Sequence, residues 1–240
     1  MLRIALLISG GGTTAGAIVK ACQDGSLENA TSVCVIASTD KAEGIVRLKE
    51  LGIATTDIFV IDPKVFENKE LFGEAILEVC NDRQANFVGQ YGWMCLTPAN
   101  VIRAFKNMMV NQHPGPLDPG RPDFGGKGMF GKRVQAARML FVKRTNRDFW
   151  TEATAQRVAE SFDEGAVVNR KQVPILENDT VESIAERMLP FEHEIQIETL
   201  SDFVNNSVKE LVRRYPLIKP GELSILEECK QEAIKMYPKG

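Results

Sequence analysis

The stretch that decides the fold is "RIALLISGGGTTAGAIVKAC", Arg3 to Cys22. Residues 3–9 are almost continuously apolar, which predicts a strand of a parallel sheet covered on both faces. Three glycines follow, and "AGAIVKACQDG" then predicts a helix closed by Gly25. The same strand–helix alternation continues outward. Strands are predicted at 32–38, 56–62, 86–91 and 108–112, and helices at 41–52 and 68–83. In the 68–83 helix Leu71, Ala75, Ile76 and Val79 are expected to form the apolar face. Alternation at this spacing implies an α/β fold, a doubly wound, mostly parallel sheet with right-handed crossovers.

Past residue 113 the rhythm changes. Residues 114–131 hold six glycines and four prolines, too many for a regular element, so a long loop is expected before a helix at "KRVQAARML". "TEATAQRVAES" (151–161) and "AVVNRKQVPIL" (166–176) read as two strands joined by the turn "FDEG". From Thr180 to Tyr215 the pattern is helical, with Asp179 as its N-cap, Pro216 as its stop and a last helix at 221–237.

The whole chain bounds the function. Its 240 residues suffice for one sizeable core, and a net charge of −3 argues against broad binding to nucleic acid or an anionic membrane. Apolar runs are strand-length, so no membrane span is expected, and the N-terminal run reads as a buried first strand rather than a signal peptide. Cysteines 22, 34, 80, 95 and 229 are odd in number and form no C-x-x-C, as expected of free thiols in a reducing, cytoplasmic setting without a metal site.

Four features could carry chemistry. Gly10, Gly11 and Gly12 sit between a buried strand and a helix start, where backbone N–H groups and the positive end of the dipole suit a phosphate. Thr13 and Thr14 add hydroxyl donors. Gly10-x-Gly12-x-x-Ala15 also fits a loose dinucleotide fingerprint, but no acidic residue is well placed after the second strand. Asn111-x-His113 ends a parallel strand, the edge where open α/β sheets bind ligands, and Pro114 stiffens that exit. Asp163 lies in the "FDEG" turn. Glu192-His193-Glu194 lies on the late helix, where a histidine among glutamates is more often a satisfied ring than a ligand.

Taken together, "RIALLISGGGTTAGAIVKAC", "NQHPG", "FDEGAVVNRKQVPILENDT" and "ERMLPFEHEIQ" resemble the phosphoribosylglycinamide formyltransferase family in order and spacing over about residues 1–200. The resemblance implies a formyltransferase-type sheet with C-terminal helices. It divides the chain into a Gly-rich substrate half (about 1–105), a catalytic and folate half (about 106–200), and a C-terminal helical extension (201–240) packed on the same domain. The implied activity is formyl transfer from 10-formyltetrahydrofolate, a co-substrate, to the amine of glycinamide ribonucleotide in purine biosynthesis. Partners are then small molecules only, without metal, nucleic acid or membrane, and the chain is a monomer or homodimer. By the same resemblance Asn111, His113 and Asp163 are catalytic. Gly12, Thr13 and Thr14 hold the substrate phosphate and Glu192 its ribose hydroxyls. Lys69, residues Trp93, Met94, Cys95 and Leu96, and residues Ala159, Glu160, Ser161 and Phe162 stand at the folate site.

The chain departs from the family pattern in places. "GPLD" follows "NQHP", "PGRPDFGGKGMFGKRV" replaces a short polar stretch, Gln156 stands where a histidine is common, and the "GWMCLTP" loop has lost an Arg. Another amine acceptor, a formyltetrahydrofolate hydrolase and a non-catalytic nucleotide-binding relative are the alternatives. At the end of the 115–131 loop, where a helix is expected to start, Lys127, Lys132 and Arg133 imply an anionic partner nearby.

Overall fold

The computed structural model describes all 240 residues. Seven strands, β1 (Leu2–Ile8), β2 (Ala30–Ala37), β3 (Ile58–Val60), β4 (Phe87–Gln90), β5 (Met109–His113), β6 (Trp150–Arg157) and β7 (Val167–Pro174), form one sheet in the order β3-β2-β1-β4-β5-β6-β7. Pairing is parallel from β3 through β5 and antiparallel between β6 and β7. Seven helices accompany it: α1 (Thr13–Asp24), α2 (Gly44–Glu50), α3 (Lys69–Asp82), α4 (Ala99–Ala104), α5 (Lys132–Thr145), α6 (Val181–Val204) and α7 (Leu223–Met236). The expected doubly wound α/β class is the observed one. None of the helices is long and apolar enough to cross a membrane.

The chain divides into two compact units, residues 1–111 with 196–208, and residues 112–195 with 209–240. In the first, Ile4, Ala5, Leu6, Leu7 and Ile8 are wholly buried, because β1 pairs on both edges and is covered on both faces. In the second, Val134, Phe141, Ala153, Ala155, Val173 and Ile184 form the apolar centre.

Several sequence expectations are corrected. The α3 face that is buried is Phe72, Gly73, Ile76 and Cys80, while Leu71 is exposed. A Cβ on Gly73 would fall 2.0 Å from Asn100 Oδ1, so the glycine lets α3 approach α4 and thereby sets the helix rotation. β6 stops at Arg157 rather than 161, for two local reasons. The ladder shifts register after Ala155, and Gly165 lies so close that its Cβ would meet the Arg157 carbonyl oxygen at 1.7 Å. The long helix ends at Val204, eleven residues early. Asn206 takes φ +52°, its amide donates to the Phe203 carbonyl, and the Ser207 amide donates to the Asp202 carbonyl. These are the two bonds of a Schellman stop, with Asn in the left-handed position. At the start of α6 it is the Thr180 hydroxyl that accepts from the Ser183 amide (3.1 Å). Asp179 instead accepts from the Leu176 amide (2.7 Å) and pairs with Arg187, which holds its carboxyl well below the usual range.

Candidate active site

In the first unit, Gly12 caps α1 with φ +60° and no side-chain cap, and no acidic residue occupies the first turn. A Cβ on Gly12 would lie 2.8 Å from the Gly44 Cα, so glycine is required by conformation and by space. The loop is tied by its carbonyls. Gly10 accepts from the Gly44 amide (2.9 Å) and Gly11 from Arg47 Nε (2.8 Å). Gly10 and Gly11 have nothing within 4 Å of a Cβ position, Thr13 is half-buried and Thr14 buried. An uncapped helix start beside open glycines and a guanidinium can take an anion. Arg47 was not singled out from sequence, since its tie runs to a backbone carbonyl 36 residues away.

Residues 93–96 follow β4 in the same unit. Trp93 is buried, its ring stacked on Phe72 with centroids 6.2 Å apart. Met94 is exposed, and its amide donates to Ser9 Oγ (2.9 Å). Cys95 and Leu96 are half-buried. Burial pushes the Cys95 thiol up, against the hydroxyls of Ser38 and Ser9. Lys69 opens α3 and is exposed, after Asn68, whose side chain accepts from the Leu71 amide. Asn111 is half-buried on β5, two residues before His113, so both side chains leave the same face of the strand.

In the second unit three polar side chains converge. His113 is 2% exposed, and its Nδ1 lies 3.5 Å from Asp163 Oδ1. Its Nε2 is buried without a partner. Asp163 takes φ +60°, a conformation Asp tolerates, and this turns its carboxylate into the cluster. Gln156 Nε2 donates to Asp163 Oδ1 (2.7 Å) and the Gly126 amide to Oδ2 (2.9 Å). Gly125 makes room for it, because a Cβ there would sit 2.6 Å from the Asp163 Cβ. Burial alone would lower the pKa of His113, but the charge and hydrogen bond of Asp163, with Asp123 and Glu192 behind, raise it above its ordinary value. Asp163 itself is lowered: burial opposes ionisation, but the His113 charge and the donors around it win. Glu192, 7% exposed on α6, is pushed up to about 7 by burial, against the His113 charge and the Gln112 amide. The cluster thus offers a histidine biased toward its charged form with Nε2 buried and unpartnered, an oriented carboxylate and an acid that titrates about pH 7.

Of the loop 158–165, Ala159 is half-buried, Glu160 and Ser161 are exposed, and Phe162 is 37% exposed, immediately before Asp163. The preceding loop is irregular yet ordered inward. Gly115, Leu117, Asp118, Phe124 and Met129 are buried, and the Thr154 hydroxyl donates to the Gly115 carbonyl (2.8 Å). Its cations are otherwise engaged than expected. Lys132 donates to Glu182 (3.1 Å), and Arg133 donates to the Tyr237, Pro238 and Gly128 carbonyls. Only Lys127 of the three is exposed and unassigned to a structural contact. Sequence reasoning noted Gln156 only as a departure and missed Gly125 and Gly126. Their importance arises from contacts 7, 38 and 37 residues distant from Asp163, which no local pattern shows.

Residues 2–200 match the family model described as "Formyl transferase". A phosphoribosylglycinamide formyltransferase of the chloroplast from Vigna unguiculata is 30% identical over 92% of this chain, which spans 66% of that protein's length. The phosphoribosylglycinamide formyltransferase of Bacillus subtilis is 28% identical over 80% of this chain and 90% of its own. Among solved structures, glycinamide ribonucleotide transformylase 1 from Symbiobacterium toebii superposes with a TM-score of 0.74 at 29% identity, covering 88% of this chain and 94% of its own. The converging histidine, aspartate and glutamate, the uncapped glycine turn and a match over most of the chain agree, and the chain belongs to the formyl transferase family.

Proposed function

We propose that this protein transfers the formyl group of 10-formyltetrahydrofolate to the amine of glycinamide ribonucleotide, in purine biosynthesis. The observation that carries the reading is the buried, unspent Nε2 of a histidine whose pKa Asp163 raises. When an amine attacks a formyl carbon, a C–N bond forms and the carbonyl oxygen becomes an oxyanion, which needs donors already in place. His113, as imidazolium, supplies one from Nε2 and Asn111 a second from its amide. Asp163 holds the ring and accepts the proton that the attacking nitrogen releases, directly or through water. Collapse breaks the bond to the folate N10, which takes up a proton.

In this reading the glycine turn, with Thr13 and Thr14, holds the acceptor phosphate, and Glu192 its ribose hydroxyls. Lys69, residues 93–96 and residues 159–162 hold the folate. No step calls for a metal, and the five free thiols agree with a cytoplasmic, reducing setting. The test incubates purified protein with both substrates and follows tetrahydrofolate and formylated product. Transfer dependent on glycinamide ribonucleotide is expected. Release of formate at the same rate without the amine would make the protein a hydrolase, and no turnover of the folate at all would make it a binding relative.

A further inference from the structure

Residues 209–240 lie beyond the matched segment but in the same unit as His113 and Asp163. Here α7 packs along α5. Arg144 pairs with Glu228 and Glu232 of α7. At the C-terminal end of α7, Arg133 donates to the Tyr237 carbonyl (2.7 Å), which also accepts from the Gly240 amide (3.0 Å), and to the Pro238 carbonyl (2.6 Å). The helix is held along its middle and at its C-terminal end, and Cys229 and Ala233 are buried beneath it. Between them the half-buried Lys230 donates from Nζ to the Gly125 carbonyl at 3.0 Å.

That carbonyl belongs to the same peptide group as the Gly126 amide, which donates to Asp163 Oδ2. One planar unit therefore has an ammonium on its oxygen and the carboxylate on its N–H. A cation on the oxygen polarises the peptide and strengthens the bond its N–H makes, and the planarity fixes both directions at once. The turn is otherwise held by Asp123, which accepts from the Gly125 amide (2.8 Å) and the Asp118 amide (2.7 Å).

We propose that Lys230 is a positioning residue: through the Gly125–Gly126 peptide it holds Asp163, and through Asp163 the ring of His113, so that the C-terminal helix is part of the catalytic apparatus. This rests on the assignment of His113 and Asp163 to the chemistry, and one arm of its test is independent of activity. The variants are Lys230→Met, which keeps the apolar stem, and Lys230→Arg, which keeps a donor.

In the first arm the His113 ring is titrated by NMR without substrate, the other ring being removed by His193→Gln. The carboxylates facing His113, namely Asp163, Asp123 and Glu192, stay in place. Losing a positive charge through space raises a histidine pKa, whereas loosening Asp163 lowers it, so the sign decides. The expected result is a lower pKa in Lys230→Met and a wild-type value in Lys230→Arg. An unchanged or higher value in Lys230→Met overturns the proposal. In the second arm Lys230→Met is expected to lose about tenfold in kcat with little change in either KM, and Lys230→Arg to recover most of it. A loss that Lys230→Arg does not restore, or no loss, overturns it. A wild-type protein inactive with glycinamide ribonucleotide would overturn the functional reading alone and leave the titration standing.

Discussion

The two units present their candidate groups by opposite means. The first presents backbone: a glycine turn forced by a tight crossing of Gly12 and Gly44, with its carbonyls tied down and a helix start left uncapped. The second presents side chains: the buried His113 and Glu192 and the half-buried Asp163, held by residues remote in sequence. A site made of backbone is protected against most substitutions but fails at one glycine. A cluster of buried titratable groups is exposed to every change in its surroundings, because an unmet polar partner in a low dielectric is expensive.

The largest separation between the units should come from removing the imidazole. His113→Ala is expected to lower kcat about a hundred- to a thousand-fold, the usual effect of losing one oxyanion donor, with substrate KM values little changed. Asp163→Asn should approach it. Steady-state kinetics decide, and a variant that keeps wild-type kcat would move the chemistry elsewhere.

Next come the glycines. Gly125→Ala pushes a methyl to 2.6 Å from the Asp163 Cβ and 2.7 Å from Leu117 Cδ2, so kcat should fall by roughly tenfold or more and stability by about 1–3 kcal/mol. Gly12→Ala collides with the Gly44 backbone and strains φ, and should raise the KM for glycinamide ribonucleotide more than that for the folate. Gly11→Ala meets nothing and should leave folding unchanged. Equal damage from Gly12→Ala to both substrates would sever the glycine turn from the acceptor.

Why was one unit easier to read than the other? β1, α1, β2 and β4 announce themselves because their burial is continuous or periodic along the chain, and Gly10–Gly12 because they fall where such elements meet. His113 and Asp163 stood out by their places at a strand end and in a turn, the resemblance gave them a catalytic role, and nothing local revealed that Gln156, Gly125 and Gly126 surround the carboxylate. The over-long helix illustrates the same limit. Hydrophobic spacing continued past Val204, but the Asn205-Asn206-Ser207 stop outweighed it through two backbone bonds and one left-handed residue. Leu71 was misplaced because a helix's rotation is set by what it packs against, here Asn100 at Gly73. Local patterns give elements, while partners distant in sequence decide faces, ends and charge networks.

Glu192 offers a smaller test of the second unit. Burial raises its pKa from 4.5 to about 7, so between those values the folded chain binds a proton that the unfolded chain has released. Stability from this group is therefore full below about pH 4.5 and declines as pH rises through 7, reaching a penalty on the order of 3 kcal/mol once the acid is ionised. Glu192→Gln should melt higher than wild type at pH 8 and no higher at pH 4.5. Calorimetry at the two pH values would decide, and a gain of equal size at both would mean that packing, not ionisation, is responsible. His113 contributes in the same sense as Glu192, and Asp163 in the opposite sense. The raised His113 stabilises below its unfolded pKa and ceases to as pH passes its folded value, while the lowered Asp163 stabilises until acid protonates it. The comparison must therefore be made between variant and wild type at each pH.

The smallest expected effect concerns Lys127. Of the three cations at the end of the glycine-rich loop, Lys132 and Arg133 serve Glu182 and the end of α7, which leaves Lys127 as the one available to an anionic ligand. Its backbone is fixed on one side by the Gly126 amide on Asp163 and on the other by the Gly128 carbonyl on Arg133, while its side chain is exposed. An exposed cation acts through a screened field, worth at most about 1 kcal/mol. Lys127→Ala should therefore raise the KM for one anionic substrate by no more than a few-fold at low ionic strength, and the difference should vanish in high salt, with kcat and melting temperature unchanged. Lys132→Ala and Arg133→Ala should do the reverse, lowering the melting temperature and leaving the salt dependence of KM alone. If Lys127→Ala instead changed kcat, the loop would be acting through Asp163 rather than through charge, and the distinction between its side-chain and backbone roles would fail.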